Sequence, residues 1–416
     1  MPERWPEAQR RRLNLAPGLV MGLACLVVSA HAADLTGRVS VLGTAAWPGA
    51  GDVGDGVPGI SVPSADQQGL RLMLEDHGGG AEWSVHAVAT RQNFRGVPAS
   101  TAHSSDLFRF RRLAAESTSG DGVRRQTRLD WALERIAYKK RFGATSLSVG
   151  RQPIDWGAGR FWQPLNVFGA FAPTALDTDY KPGIDAAVFN WYPSDFSSLT
   201  AVYALAPHDD RKIKNSGALH YQRQVGQTSQ FALLAGEVIG ERQLGASFES
   251  DWRGIGWRIE ALHTQAKQTG GNTLFWIAGV DYQFDKGTLV SAEWYHNGRG
   301  ASNEADLPVL LTDRLVTSGL QPQLSQRVLG LSVQQDITPL ISASYTLLAT
   351  PLKDAAGSYH GSLLHQLSLV YSLSNESDLL LSMSLGTGRG LDAQARPRSE
   401  FGATPTNATL RWRHYF

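Results

Sequence analysis

From Ala33 to the end of the chain, apolar residues recur at every second position, with almost no helical periodicity. The last nine residues show the pattern most plainly. Side chains on a strand alternate between two faces. Ala408, Leu410, Trp412, His414 and Phe416 therefore share one face, and Thr409, Arg411, Arg413 and Tyr415 the other. One face is apolar and aromatic; the other is polar and cationic. Lipid on one side and water on the other account for both. Comparable runs begin at Leu35–Leu42 and continue through Gln68–Asp76, Arg128–Arg141, Ile255–Thr264 and Thr288–Asn297 to Asp378–Thr387. The pattern predicts an all-β chain, a transmembrane up-and-down antiparallel β-barrel of about 18 strands, with 16 as the neighbouring even count.

The connections between these runs alternate in length. Short turns such as His77–Ala81, Phe142–Thr145, Arg253-Gly254 and Ser374–Ser377 take turns with long ones such as Asn93–Thr127, Pro153–Gly183, Gly298–Gln326, Thr350–Gly361 and Gly388–Pro405. Gly240–Arg242 breaks the rhythm, being short where a long loop is due. Short periplasmic turns and long outer loops produce this alternation in a closed barrel. Phe142, Trp191, Tyr192, Trp252, Trp257, Tyr282, Phe284 and Tyr371 all stand beside short turns, where a membrane–water boundary favours aromatic rings. In Arg128–Arg141 the apolar phase shifts between Leu133 and Ile136, which a β-bulge near Glu134 or Arg135 would repair; a second slip is expected near Glu237.

The N-terminus changes the picture of where the chain goes. Arg10–Arg12, an apolar run over Leu15–Ser29 and the small-x-small Ala30-His31-Ala32 have the three regions of a secretory signal, so residues 1–32 are expected to be removed and 33–416 to form the barrel. That segment holds the only Cys, which excludes a disulfide-stapled fold. It also carries four Arg and two Glu, leaving 35 basic and 36 acidic residues, a balance that offers nothing to nucleic acid. Mean hydropathy of −0.22 suits a secreted soluble protein, but alternating strands cancel in such an average.

The most distinctive chemistry follows one strand: Gly150-Arg151-Gln152-Pro153-Ile154-Asp155-Trp156-Gly157-Ala158-Gly159-Arg160-Phe161-Trp162. Gly157 and Gly159 allow sharp bends, and the aromatics supply apolar mass, so the Pro153–Gly183 connection is expected to fold inward and narrow the lumen. The Gly-Arg-Gln box with its Trp-Gly resembles a group of bacterial outer-membrane porin-like families, distantly including the eighteen-stranded alginate-export type. The final strand ending on Phe resembles the C-terminal signature of outer-membrane barrels, with His414 where an apolar residue is usual. These resemblances imply an outer-membrane channel, with outer-membrane lipid, the barrel assembly machinery and a small polar solute or glycan as partners. Leu410, Trp412 and Phe416 would form the assembly signal.

Arg151, Asp155, Trp156, Arg160, Trp162 and Asp185 are candidates for the constriction, with Arg411 and Arg413 lining the lumen. Opposed charges there would filter solutes; alternatively, Arg151 with Asp155 and Arg160 with Asp185 pin the loop by ion pairs. No dense arginine ladder on consecutive strands is evident, which sets polysaccharide export behind passive entry of small solutes. Asp177-Thr178-Asp179 lacks the further oxygen ligands of a calcium loop, so neither metal nor cofactor is expected. His360-x-Ser362 has the spacing of an outer-membrane phospholipase, but Asn375 lies too far along to complete it. The chain is therefore expected not to be an enzyme.

Overall fold

The computed structural model describes residues 33–97, 104–265 and 271–416. The expected signal segment lies outside the described residues, as does most of the Gln265–Asn272 connection. Among the described residues there are nineteen strands in one antiparallel sheet. They are β1 (Asp34–Trp47), β2 (Ser64–Gly78), β3 (Ala81–Arg95), β4 (Ala114–Gly120), β5 (Gln126–Phe142), β6 (Thr145–Gln152), β7 (Ile184–Ser194), β8 (Ser197–Ala204), β9 (Ser216–Val225) and β10 (Ser229–Val238). The series continues with β11 (Glu241–Trp252), β12 (Ile255–Gln265), β13 (Asn272–Gln283), β14 (Leu289–Asn297), β15 (Arg327–Thr338), β16 (Ile341–Lys353), β17 (Tyr359–Ser372), β18 (Ser377–Thr387) and β19 (Thr406–Tyr415).

Eighteen of these are staves of a closed barrel. The ring closes where β1 pairs with β19, from Arg38 opposite Tyr415 to Trp47 opposite Thr406. Phe416 extends this seam by exchanging backbone hydrogen bonds with Gly37, at 2.8 and 3.0 Å. Its ring lies over Gly37, where any Cβ would strike it. His414 points outward with the apolar phase, stacked 6.2 Å from Trp412 and bonded to Ser377 Oγ, so its polar edge is satisfied at the rim.

β4 is the strand the sequence pattern does not reveal. It lies within the long connection after β3 and pairs only with the loop-end half of β5, from Ala114 opposite Ala132 to Gly120 opposite Gln126. Six of its seven residues are exposed and none is large and apolar, so it carries no alternation signal. The expected bulge in β5 is present: His86 faces Arg135 and Ala87 faces Leu133, leaving Glu134 extra. The slip expected near Glu237 is absent, since β10 keeps regular register with both neighbours. The connection expected over Thr350–Gly361 is also shorter than the sequence suggests, because β16 and β17 continue pairing to Lys353 and Tyr359. The β10–β11 turn is a tight one at Ile239-Gly240, both residues with positive φ.

The outward face is an apolar belt including Leu70, Leu129, Leu147, Leu219, Leu233, Ile259, Leu381 and Leu410, all solvent-exposed in the isolated chain. Phe142, Trp191, Tyr192, Trp252, Tyr282, Phe284, Tyr371 and Phe416 form an exposed aromatic ring at the short-turn end. No helix among the described residues is long enough to cross a membrane; the belt belongs to strands.

Candidate functional site: a loop across the lumen

The inner wall has two unlike sectors. From β7 to β10 it is apolar and small, with Ile184, Ala186, Val202, Ala204, Ala218 and Leu234 pointing inward. Around the seam it is charged: Arg411 and Arg413 on β19, Arg38 on β1, Arg71 on β2 and Arg135 on β5. Arg38 and Arg71 stand directly opposite one another in the ladder. Arginines thus do gather on adjacent staves, a grouping that sequence order hides because β19 and β1 meet only through closure.

The Pro153–Gly183 loop crosses the lumen and joins these sectors. Its start is fixed by the Gly-Arg-Gln box. Gly150 has φ of 124° and lies so close to the bulged β5 that a Cβ would sit 2.2 Å from Ile136 O. Arg151, 2% exposed, bonds both oxygens of Asp185 at 2.7 and 2.9 Å and donates to the carbonyls of Leu133 and Arg111. It clamps three strands together. Asp155 pairs instead with Lys181 at 2.8 Å, and Asn166 bonds both, closing the loop's base on itself. Burial lowers the Lys181 pKa, and the Asp155 contact opposes that shift. The ion pairs expected from sequence proximity, Arg151–Asp155 and Arg160–Asp185, are therefore replaced by Arg151–Asp185 and Lys181–Asp155.

The first half of the loop builds a small hydrophobic core inside the barrel. Ile154, Leu165, Val167 and Phe168 pack on the apolar sector, while Phe161 and Trp162 join Ile277, Tyr295, Val328 and Leu348 on the far wall. Trp156 stacks on His220, with ring centroids 4.8 Å apart and planes 8° off parallel. Two buried glutamates hold the backbone. Glu260 on β12 accepts the N–H groups of Ala158 and Leu165. Glu293 on β14 accepts those of Arg160, Phe161 and Trp162 at 2.9, 3.2 and 2.9 Å. Gly159 permits the hairpin between them, since a Cβ there would lie against Trp162 O. Arg160 reaches toward Asp281, 3.6 Å away, and is more than half exposed.

The second half is held by charge. Asp177 makes a bidentate pair with Arg38, at 2.7 and 2.9 Å, and Asp179 accepts from Arg38, Arg413 and Tyr415. Arg411 donates to Leu176 O and Gln366 to Thr174 O. The guanidiniums of Arg38 and Arg71 lie over the Tyr180 ring, at 5.0 and 4.5 Å from its centroid. Burial opposes ionisation of Asp177, but the Arg38 hydrogen bond and charge outweigh it and hold its carboxyl below the ordinary value. No group of residues suited to a metal occurs among the described residues.

Sequence reasoning missed Glu260 and Glu293. Both stand in the polar phase of their strands, which marks them as inward-facing, but nothing local links them to a segment about a hundred residues earlier. A third carboxylate repeats the device: Glu400, in the 388–405 connection, accepts the N–H groups of Leu324 and Ser325. Burial raises its pKa against the pull of those bonds. His360 pairs with Asp354 at 2.9 Å, no hydrogen bond joins it to Ser362, and Asn375 lies at the opposite end of β17.

Two spaces flank the loop. On the loop side is a chamber of about 860 Å³, whose lining includes Arg211, Lys212, Lys214, Arg299, Arg314, Glu241 and Asp313. Arg299 is paired with Glu241 and Arg314 with Asp210, whereas Arg211, Lys212 and Lys214 make no ion pair among the described residues. On the short-turn side is a recess of about 300 Å³ with Arg160, Arg258, Glu249, Asp251 and Asp281 in its wall.

No protein-family model matches the chain, and no curated protein sequence does. Solved structures do match in fold. OccK9 (OpdG) of Pseudomonas aeruginosa aligns at 12% identity over 92% of this chain and 98% of its own, with a TM-score of 0.59. OccAB4 of Acinetobacter baumannii aligns at 9% over the same shares, with a TM-score of 0.58. OpdK of Pseudomonas aeruginosa, solved with vanillate, aligns at 11% over 92% and 98%, with a TM-score of 0.55. The chain shares their whole barrel architecture.

Proposed function

We propose that this protein is an outer-membrane channel that passes small polar solutes, small glycans among them, by passive diffusion. The observation that carries the reading is the anchored loop. A closed barrel with an apolar outer belt encloses a lumen that this loop, with Leu107, Phe108 and Phe401 packed beside it, narrows without filling, leaving polar space on both sides. Residues 1–32 serve as its export signal, and Leu410, Trp412 and Phe416 on the last strand as the address read by the assembly machinery. The unpaired cations Arg211, Lys212 and Lys214 of the loop-side chamber bias entry toward anions. The inner wall is mixed in charge, so the bias is mild. That a neighbour of the same architecture was solved with vanillate fits a carboxylate-bearing cargo. The constriction is formed by the backbone of 156–162 with Trp156, Arg160 and Trp162. Arg151, Asp155, Asp185, Arg411 and Arg413 hold the loop there.

Planar-bilayer recording of the purified chain tests the reading. Discrete conductance steps are expected, with a reversal potential in a salt gradient that favours anions. Replacing Arg211, Lys212 and Lys214 by Gln should shift that potential toward zero. Absence of conductance, both in the parent and after loosening the loop with Glu293→Ala, overturns the channel.

A further inference from the structure

The outer surface of the barrel carries a strongly basic cleft that plays no part in the lumen. It has a volume of about 600 Å³ and is lined by Arg91, Arg95, Arg124 and Arg125 together with Ser64, Asp66, Asn93 and Phe94. Register sets the direction of its β3 arginines. Arg91 pairs with Leu129 of β5, whose side chain is 51% exposed on the outward face, so Arg91 and Arg95 face away from the lumen. Arg124 and Arg125 come from the turn between β4 and β5. None of the four makes an ion pair or side-chain hydrogen bond among the described residues. One acid leaves four arginines largely uncompensated, and Asp66 makes its side-chain hydrogen bonds to the amides of Gln68 and Asn93, at 2.6 and 2.8 Å, rather than to any of them.

Height on the barrel decides what such a cleft meets. Trp83, bonded to Asp76 beside the short turn, marks the lower membrane boundary. Arg91 lies eight residues further along β3. At about 3.3 Å per residue and a tilt of about 40°, that is a rise of roughly 20 Å, close to the upper edge of an apolar band about 25 Å tall. Arg95 stands about 10 Å higher by the same arithmetic. Beside Arg91 and just below it, Leu129 and Trp131 expose apolar surface. Four unpaired guanidiniums above such a surface fit a ligand with phosphate at one end and acyl chains at the other.

We propose that this cleft binds the phosphorylated headgroup of a glycolipid in the loop-side leaflet, with its acyl chains along Leu129 and Trp131. The proposal rests on the outer-membrane reading. It commits to a lipid rather than a free anion because the basic and apolar surfaces are contiguous and both face outward.

The test titrates the detergent-purified full chain with diphosphoryl lipid A and counts bound lipid by native mass spectrometry. Saturable binding of one lipid is expected. The variant Arg91→Gln/Arg95→Gln/Arg124→Gln/Arg125→Gln should weaken it at least tenfold. The control Arg211→Gln/Lys212→Gln/Lys214→Gln, which removes three cations from the loop-side chamber, should leave it unchanged. Should the fourfold variant not fold, the exposed turn pair Arg124→Gln/Arg125→Gln is expected to weaken binding about threefold. Equal lipid binding by parent and cleft variant overturns the proposal, as does displacement of the lipid by inorganic phosphate at equal concentration. Conductance recorded on the same samples separates the two readings: a conducting barrel without lipid binding overturns the lipid site alone, and a lipid-binding barrel without conductance overturns the channel alone.

Discussion

The two halves of the lumen loop are held by opposite kinds of chemistry. Residues 154–168 pack their apolar side chains against the inner wall, with five backbone donors on Glu260 and Glu293; residues 174–180 rest on arginines in half-wet surroundings. Burying Ile154, Phe161, Trp162, Leu165 and Phe168 contributes on the order of 10 kcal/mol at about 2 per side chain, as an upper estimate. Partly exposed ion pairs of the second half contribute about 1 kcal/mol each or less, and salt screens them. The first half is a fixed sill. The second is the half that conditions can move.

Removing the sill's acceptors should have the largest effect. In Glu260→Ala/Glu293→Ala, five N–H groups, three of them in buried hydrogen bonds, lose their partners. At about 1–3 kcal/mol each, this cost is comparable to the roughly 10 kcal/mol that the apolar side chains return. Single-channel conductance is expected to rise severalfold, with noisy gating; unchanged conductance would show that aromatic packing alone suffices. Gly159→Val comes next. Its side chain would occupy the space of the Trp162 carbonyl, so a shift of the hairpin costing about 1–3 kcal/mol is expected, read as a lower heat-unfolding midpoint on gels.

Weakening the ionic half should do less. Arg38→Gln removes the bidentate partner of Asp177 and one partner of Asp179. A moderate increase in open-channel noise is expected without a change in the unfolding midpoint, the reverse of the Gly159 variant. The smallest effect is that of pH. The folded pKa of Asp177 lies below its ordinary value of 3.8. Its anchoring is therefore complete above that value and is lost as pH falls through the folded pKa. Conductance noise should be flat from neutral pH to about 4 and rise below it. In Asp177→Asn the noise should already be raised at neutral pH and lose this dependence.

The staves were legible because alternation is a local signal, readable wherever lipid touches one face. The same logic located the bulge at Glu134 or Arg135, where a phase change in the apolar residues is visible within one run, and the register leaves Glu134 extra. β4 escaped because its residues are small or polar on both faces, so no alternation is written in them. The inward course of the loop could be anticipated from its own aromatics and glycines, but its landing points could not. Glu260, Glu293 and Arg38 are brought to it by ring closure, and their distance along the chain carries no trace of it. Asp185 shows the same limit at short range: Arg151 chooses it over Asp155 because β6 and β7 pair, with Arg151 opposite Asp185.

A ring of hydrogen-bonded strands resists stretching along its circumference but yields to being squashed into an ellipse. The Pro153–Gly183 segment is tied to β12 and β14 on one wall and to β17, β19 and β1 on another, so it works as a spoke within that ring. Squeezing the barrel from the side loads the spoke, and moving the spoke bends the wall. The bore and the roundness of the barrel are thereby one mechanical variable, set jointly by the loop and by the pressure of the surrounding bilayer.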